Sequence, residues 1–378
     1  MKGRVLCYKI TKSYFPVFSC SFFRNRSGKF YYPKNFSCIM NYYPLKSIVK
    51  TGDSALVIDF HIHYCPEKYV KPNLGPGGAV KTIFADDGRT GDCAVPLRYD
   101  VPKFIEMMDY GGVDIAVLSS GVGMRRPLED CRFINDDIKS VVEKYPGRFL
   151  GVAHAPPLGG EDAFTELKRC RDELGFRGAV MHSVVRGVEL DDPQLFPYYE
   201  KVCELGMFLI VHPGSAEYVP FYDYDFGRSI GREGYLALTT ARLIEGGVID
   251  RFPDLRIVMS HLGGHFYTCI SRLELYQDKV FWGVQDNPRH SKHAKEPIRY
   301  YLDKMYYDTG GIQGDVNPIK MALMELSPKN IVYGTDYPLE IREGETIRKF
   351  IGDIRKLPLP QEDIEAILSG NARKILGI

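Results

Sequence analysis

The first fifty residues of this 378-residue chain contain no aspartate or glutamate. They carry ten lysines and arginines, many aromatics and Cys7, Cys20 and Cys38, with no sustained helical or strand period. That leaves 39 of the 49 basic residues against all 48 acidic ones in the remainder, so a formal net charge of +1 conceals two opposite balances. Three readings of residues 1–50 stand open. The segment is an acid-poor targeting sequence, a basic arm that docks on the acidic body or a partner, or sequence upstream of a true start at Met40. No clean apolar stretch with a small-residue cleavage site follows the basic start, so a secretory signal is not evident. Residues 51–378 are expected to form the folded domain.

Other absences narrow the class. No apolar run approaches the roughly 18 residues that a membrane-spanning helix needs, which argues against a membrane protein. A net charge near zero gives no support for a nucleic-acid partner. The nine cysteines include no CxxC pair, and an odd, scattered set argues for reduced thiols and a cytoplasmic setting instead of a disulfide framework. No GxGxxG follows the first strand pattern and no GxxxxGK[ST] occurs, so nucleotide-binding folds lose their main signature.

From residue 55 onward, apolar β-type runs alternate with amphipathic helical runs. Strands are expected at 55–60, 114–119, 149–153, 178–182, 207–211, 255–260, 305–308 and 330–334. Helices are expected near 101–111, 129–145, 161–174, 193–205, 234–247, 264–277, 315–326 and 343–356. Asp100-Val-Pro, Asp192-Pro193 and the Asp315 region supply helix-start signals. Eight strand–helix units predict an α/β fold of the (β/α)8 TIM-barrel type, with residues 359–378 as an extra helix on the barrel exterior. Three long connections, 64–99, 214–233 and 278–303, interrupt the pattern. The first two follow strands directly, on the side where barrel active sites lie.

Strand ends carry the chemistry. The first ends in His61-Ile62-His63, two imidazoles on one face by the period-two alternation of a strand. Later strands end in His212-Pro213, His261-Leu262-Gly263 and Asp336-Tyr337-Pro338. In a barrel these ends surround one mouth, which turns scattered residues into a cluster. Three neutral imidazoles and a carboxylate suit Zn²⁺ first and Mn²⁺ second. His61, His63, His212 and Asp336 are therefore assigned as metal ligands. His261 and Asp336 are assigned as the groups that move protons beside the metal. His182, at the end of the fourth strand, is a candidate pocket residue. Asp308 could orient a histidine, but a turn-capping role through Thr309-Gly310 is the reading favoured by sequence.

The set His61-Ile-His63, Val211-His212-Pro213, Ser260-His261-Leu-Gly-Gly264 and Gly334-Thr335-Asp336-Tyr337-Pro338 resembles the amidohydrolase-2 family. Gly175-Phe-Arg-Gly178, Phe252-Pro-Asp-Leu255, Tyr307-Asp308-Thr309 and Leu368-Ser-Gly-Asn-Ala372 extend the likeness, which is strongest to the aminocarboxymuconate-semialdehyde decarboxylase-like branch. The resemblance implies a barrel with a single catalytic metal. It also implies a substrate-gripping arginine at Arg272, donated across a homodimer or higher homo-oligomer. The family's partner arginine would fall near Phe104, which cannot bind a carboxylate; Arg98 or Arg89 would have to take its place. No lysine stands at the end of the fourth strand, where binuclear relatives carry a carbamylated bridge.

The expected function is nonoxidative decarboxylation of a small unsaturated or aromatic carboxylic acid. A metal-dependent hydrolase of lactones, amides or esters, or a hydratase, is the alternative on the same scaffold. A non-catalytic metal-binding protein is the second.

Overall fold

A computed structural model describes residues 56–84, 90–214, 223–285, 287 and 293–378. The basic segment 1–50 and Arg89 lie outside the described residues. The strands are β1 (Ile58–His63), β2 (Ile115–Ser119), β3 (Phe149–Gly151), β4 (Gly178–His182), β5 (Phe208–His212), β6 (Arg256–Met259), β7 (Tyr306–Asp308) and β8 (Ile331–Val332). Each is followed by a helix: α1 (Val101–Gly111), α2 (Leu128–Lys144), α3 (Gly160–Asp172), α4 (Phe196–Glu204), α5 (Arg232–Glu245), α6 (Ile270–Gln277), α7 (Asn317–Ala322) and α8 (Gly344–Ile354). All pairings among these strands are parallel, in the runs β1-β2-β3 and β4-β5-β6-β7-β8. Bridges from Ala153 to Ala179 and from Ile62 to Tyr337 join the two runs on both sides, closing the barrel.

Local chemistry explains the helix boundaries. The Asp100 carboxylate accepts the Lys103 N–H at 3.2 Å and Pro102 occupies the first turn of α1. Gly112 at φ 87° ends the helix in the left-handed conformation that a residue without Cβ adopts most easily. Ahead of α4, Pro193–Leu195 forms a tighter turn capped by Asp192, so the helix proper starts later than the Asp-Pro signal suggested.

The strand β1 differs most usefully from expectation. It begins at Ile58 and runs through both histidines. Between Asp59 and Ile62 it takes three steps while β2 takes two from Ala116 to Leu118, a β-bulge. Ile58 and Phe60 pack with Ile115, Val117, Val180, Ile210, Val258 and Val332. Ile62 belongs instead to the cluster that includes Phe104, Ile134 and Ile347 of the surrounding helices. The extra residue breaks the alternation, so apolar side chains fill the lower barrel and histidines line its upper end on the same strand.

Two other expectations need correction. Only the first part of the C-terminal segment packs with the outer helices, through Ile364, Ile367 and Leu368; its last turns do not. Ala372, Ile375 and Leu376 join the inner apolar cluster, and Arg177 and Arg256, at the N-terminal ends of β4 and β6, donate to the Leu376 and Ile375 carbonyls at 2.8 Å. These last residues plug the bottom of the barrel, away from the histidines. The first long connection also contains an antiparallel hairpin, Lys81–Phe84 with Thr90–Ala94, that alternation alone did not reveal.

Packing in this barrel leaves little slack. A Cβ placed on Gly178 would lie 2.2 Å from the ring of Phe208, which is fully buried. Gly178→Ala is expected to destabilise the fold by about 1–3 kcal/mol through overpacking. Chemical denaturation with an unchanged m-value would measure it.

Candidate metal centre and active site

The C-terminal ends of β1, β5, β6 and β8 bring His61, His63, His212, His261 and Asp336 together, all buried. His63 Nε2 lies 3.1 Å from His61 Nε2, 3.1 Å from His212 Nε2 and 2.9 Å from Asp336 Oδ1. His61 Nε2 is 3.7 Å from the same carboxylate oxygen. His261 stands beside them, its Nε2 3.4 Å from Asp336 Oδ2.

Neighbouring acceptors settle which nitrogens carry lone pairs. His61 Nδ1 donates to Asp308 Oδ1 at 3.0 Å, and His212 Nδ1 donates to the Pro213 carbonyl at 3.0 Å. In the neutral rings each Nε2 is thereby the acceptor, and it faces the cluster centre. His63 Nε2 therefore has two imidazole nitrogens at 3.1 Å and a buried carboxylate oxygen at 2.9 Å, a compact donor set. Asp336 Oδ1 and His261 Nε2 have no well-directed hydrogen bond despite full burial. These groups fit a divalent cation.

Electrostatics point the same way. Burial and the surrounding imidazoles push His212 well below the ordinary histidine range, and burial also lowers His63. Burial alone would raise Asp336, yet His63 and His61 outweigh it and hold the carboxyl well below its ordinary value. Burial works against a charge on His61 too, but Asp308 and Asp336 raise it to about 9. The ligand set is built to hold one positive charge at its centre. Asp59, beneath the cluster, is raised to about 7 by burial while it accepts hydrogen bonds from Thr335 and the His61 N–H.

Asp308 does more than cap a turn. One oxygen, Oδ1, accepts from His61 Nδ1, the His261 N–H and the Gly310 N–H, each at 3.0 Å. The reading favoured from sequence is thus half right, because the same carboxylate caps the turn and fixes the His61 ring. Asp308→Asn is expected to weaken metal affinity by about 10–100-fold. Competition against a chelator of known affinity would check it.

Of the other sequence candidates, two lie against the cluster and one does not. Arg98 is 2 % exposed, donates through Nη1 to Asp92 Oδ1 and the Cys93 carbonyl, both at 3.2 Å, and leaves Nε without a partner. It converges with His63 on Gly121, whose Cβ, if present, would sit 3.7 Å from Arg98 Nη2 and 3.8 Å from His63 Nδ1. His182 pairs in register with His212 across β4 and β5, with ring centroids 6.0 Å apart. Burial, helped by Arg125, lowers its pKa to about 3, so it is a neutral imidazole. Arg272 lies on the exposed side of α6, its guanidinium over the Tyr276 ring, and does not join the cluster within one chain.

Sequence reasoning missed Glu233. It sits in the first turn of α5, where a carboxylate ordinarily serves the helix end. Here Oε1 lies 3.5 Å from His261 Nδ1 and accepts from Arg232 Nε at 2.9 Å. The close approach depends on Gly264, because a Cβ there would meet the Glu233 carbonyl at 2.1 Å.

A closed parallel barrel with an imidazole–carboxylate cluster at the C-terminal ends of its strands defines a metal-dependent barrel enzyme. Residues 58–378 match the amidohydrolase family model, and the chain belongs to that family. A 2-amino-3-carboxymuconate-6-semialdehyde decarboxylase of Dictyostelium discoideum is 30% identical over 347 residues, covering 86% of this chain and 92% of the relative. A gamma-resorcylate decarboxylase of a Polaromonas species is 26% identical over 254 residues, covering 62% and 76%. Among solved structures, a 5-carboxyvanillate decarboxylase of Novosphingobium aromaticivorans, determined with manganese and 4-hydroxy-3-methoxy-5-nitrobenzoic acid, superposes with a TM-score of 0.72 at 21% identity. That match covers 86% of this chain and 97% of the other.

Proposed function

We propose that this protein is a metal-dependent nonoxidative decarboxylase of a small unsaturated or aromatic carboxylic acid. The observation that carries this reading is the buried His261 Nε2, without a hydrogen bond and 3.4 Å from Asp336 Oδ2, facing a cluster that fits a cation, with buried Arg98 on the His63 side. Relatives named as decarboxylases support it. His61, His63, His212 and Asp336 would hold the ion. The imidazole-rich set favours Zn²⁺, and the manganese in the related structure makes Mn²⁺ the alternative. When bound, the ion would polarise a substrate oxygen.

The chain's own residues supply the rest. Arg98 faces the substrate carboxylate with a charge already held out of water. The carbon–carboxylate bond breaks, its electron pair stays on carbon, and carbon dioxide leaves. His261 returns a proton to that carbon, with Asp336 Oδ2 and Glu233 on either side of its ring stabilising the charged imidazole. Metal-loaded protein should release CO₂ from at least one acid in a panel of carboxylated phenols and unsaturated acids. Hydrolysis of lactone or amide substrates without CO₂ from any acid would reject this reading.

A homodimer belongs to the same proposal. Arg272 shares α6 and the turn after it with exposed Leu275, Tyr276, Val280 and Phe281, an apolar face suited to a second copy that would bring Arg272 to the neighbouring mouth. Among the described residues no helix is long and apolar enough to cross a membrane. The described cysteines are free thiols, which supports a cytoplasmic setting.

A further inference from the structure

His154 is a fully buried imidazole that the reaction as described does not use. It follows Ala153, whose bridge to Ala179 joins the two runs of strands. Its Nε2 accepts the Ser120 N–H at 2.9 Å, which leaves Nδ1 to donate to Asn135 Oδ1 at 3.2 Å. Asn135, on α2, also accepts the His154 N–H at 2.9 Å. Its Nδ2 donates to the His154 carbonyl at 2.9 Å and to Glu166 Oε1 at 2.7 Å. Glu166, buried on α3, is held in turn by Arg169 at 2.8 Å on each oxygen. Burial lowers the His154 pKa to about 3, so the ring is neutral. A line of hydrogen bonds thus runs from two outer helices through one imidazole to a single backbone N–H.

That N–H belongs to the turn against which Arg98 and His63 converge. On one side the turn is tied to β1: Ser119 Oγ donates to the Ile62 carbonyl at 3.2 Å, and the Tyr64 N–H donates to the Ser119 carbonyl at 2.8 Å. On the other it lies on the His154 ring, because a Cβ on Gly123 would come within 2.6 Å of Cδ2. Between them, Gly121 faces Arg98 Nη2 and His63 Nδ1 with no side chain of its own. Arg98 Nε and His63 Nδ1 are both buried without a hydrogen-bond partner. Two unpartnered buried groups beside one turn mark the place where an acceptor from outside the chain is received.

We propose that His154 is a positioning residue for the substrate carboxylate. Through the Ser120 N–H it fixes the turn from Ser119 to Gly123, and the turn is the wall that keeps the carboxylate against Arg98. This role rests on the decarboxylase reading for its ligand but not for its test, because binding is measured without turnover. Full-length, metal-loaded wild type and variants are titrated calorimetrically with benzoate. His154→Leu and the more adaptable His154→Met fill the space and remove the acceptor, whereas His154→Gln carries a side-chain oxygen at about the reach of Nε2. Both apolar variants should keep their metal and bind benzoate about tenfold more weakly, the scale of one lost buried hydrogen bond, and His154→Gln should return to within about threefold of wild type. On any acid that releases CO₂, the loss should fall on KM and spare kcat. Gly121→Ala adds a Cβ 3.7 Å from Arg98 Nη2 and 3.8 Å from His63 Nδ1, ordinary contacts that the fold accepts, and should itself weaken benzoate binding. Unchanged affinity in Gly121→Ala would overturn the wall whether or not the His154 variants fold. Unchanged affinity in the apolar variants, a His154→Gln as weak as they are, affinity lost only together with metal, or a wild type that binds no benzoate would each overturn the role. Weakening rescued by His154→Gln, with no CO₂ released from any acid, would uphold the role and sink the decarboxylase reading alone.

Discussion

Purified His212→Ala protein is expected to retain its fold, lose its bound divalent ion and lose about a thousandfold or more in kcat/KM. The size follows from several kcal/mol of charge stabilisation by a metal at about 1.4 kcal/mol per tenfold. His212 closes the cluster from the β5 side, and its Nδ1–H···O=C bond to Pro213 aims Nε2 at the centre. Alanine removes that donor and leaves His61, His63 and Asp336, a set open on one side. The stability consequence separates this account from a packing role. In metal-free protein, the polar partners of the His212 ring are the Pro213 carbonyl and His63 Nε2 at 3.1 Å, neither of them charge-assisted, so truncation costs the metal-free fold little. The metal-free variant should therefore melt near metal-free wild type. The large difference should appear only when metal is added, because only wild type gains the stabilisation that comes from a ligand bound to the native state alone. Elemental analysis and paired melts with and without chelator measure both. A variant that keeps full metal content and activity would remove His212 from the ligand set.

What the sequence made legible was the barrel and its mouth. Gly178–His182 was read to the residue because a short apolar run with flanking turn signals leaves few alternatives. The position of the site was legible for the same reason: strand ends in a parallel barrel share one rim. What stayed hidden depends on contacts between distant parts of the chain. The bulge in β1 is visible only against β2, so the apolar and histidine faces of one strand could not be separated beforehand. Glu233 is 28 residues before His261 in the chain and looks like any first-turn acid until Gly264 lets the two segments touch. The C-terminal helix reads as amphipathic wherever it packs, and contacts with distant residues such as Arg177, Arg256 and Ile331 fix it at the bottom. Arg272 shows the opposite limit: family likeness singled it out, but a single chain leaves it on the surface.

His261→Asn is expected to keep its metal and lose about 10²–10⁴-fold in kcat, the range general acid–base groups supply. Asparagine is the informative replacement because residue 261 has φ 49°, a left-handed conformation that asparagine tolerates better than most side chains. The backbone N–H to Asp308 survives the change, so the His61 side of the cluster keeps its geometry. What disappears is a ring nitrogen able to give a proton, between the Asp336 and Glu233 carboxylates that stabilise the imidazolium before it does so. Loss should therefore fall on kcat and leave KM nearly alone, since His261 is not asked to bind the ground state. A second readout is independent of CO₂ release. By microscopic reversibility, wild type incubated with the decarboxylated product in D₂O should exchange the proton at the former carboxylate carbon, and the variant should not. Full activity with metal retained would leave His261 without a chemical role and move the proton return to another group. Lost exchange with intact metal would instead place the proton transfer on His261 itself, because the ion, the fold and the neighbouring carboxylates are all still present.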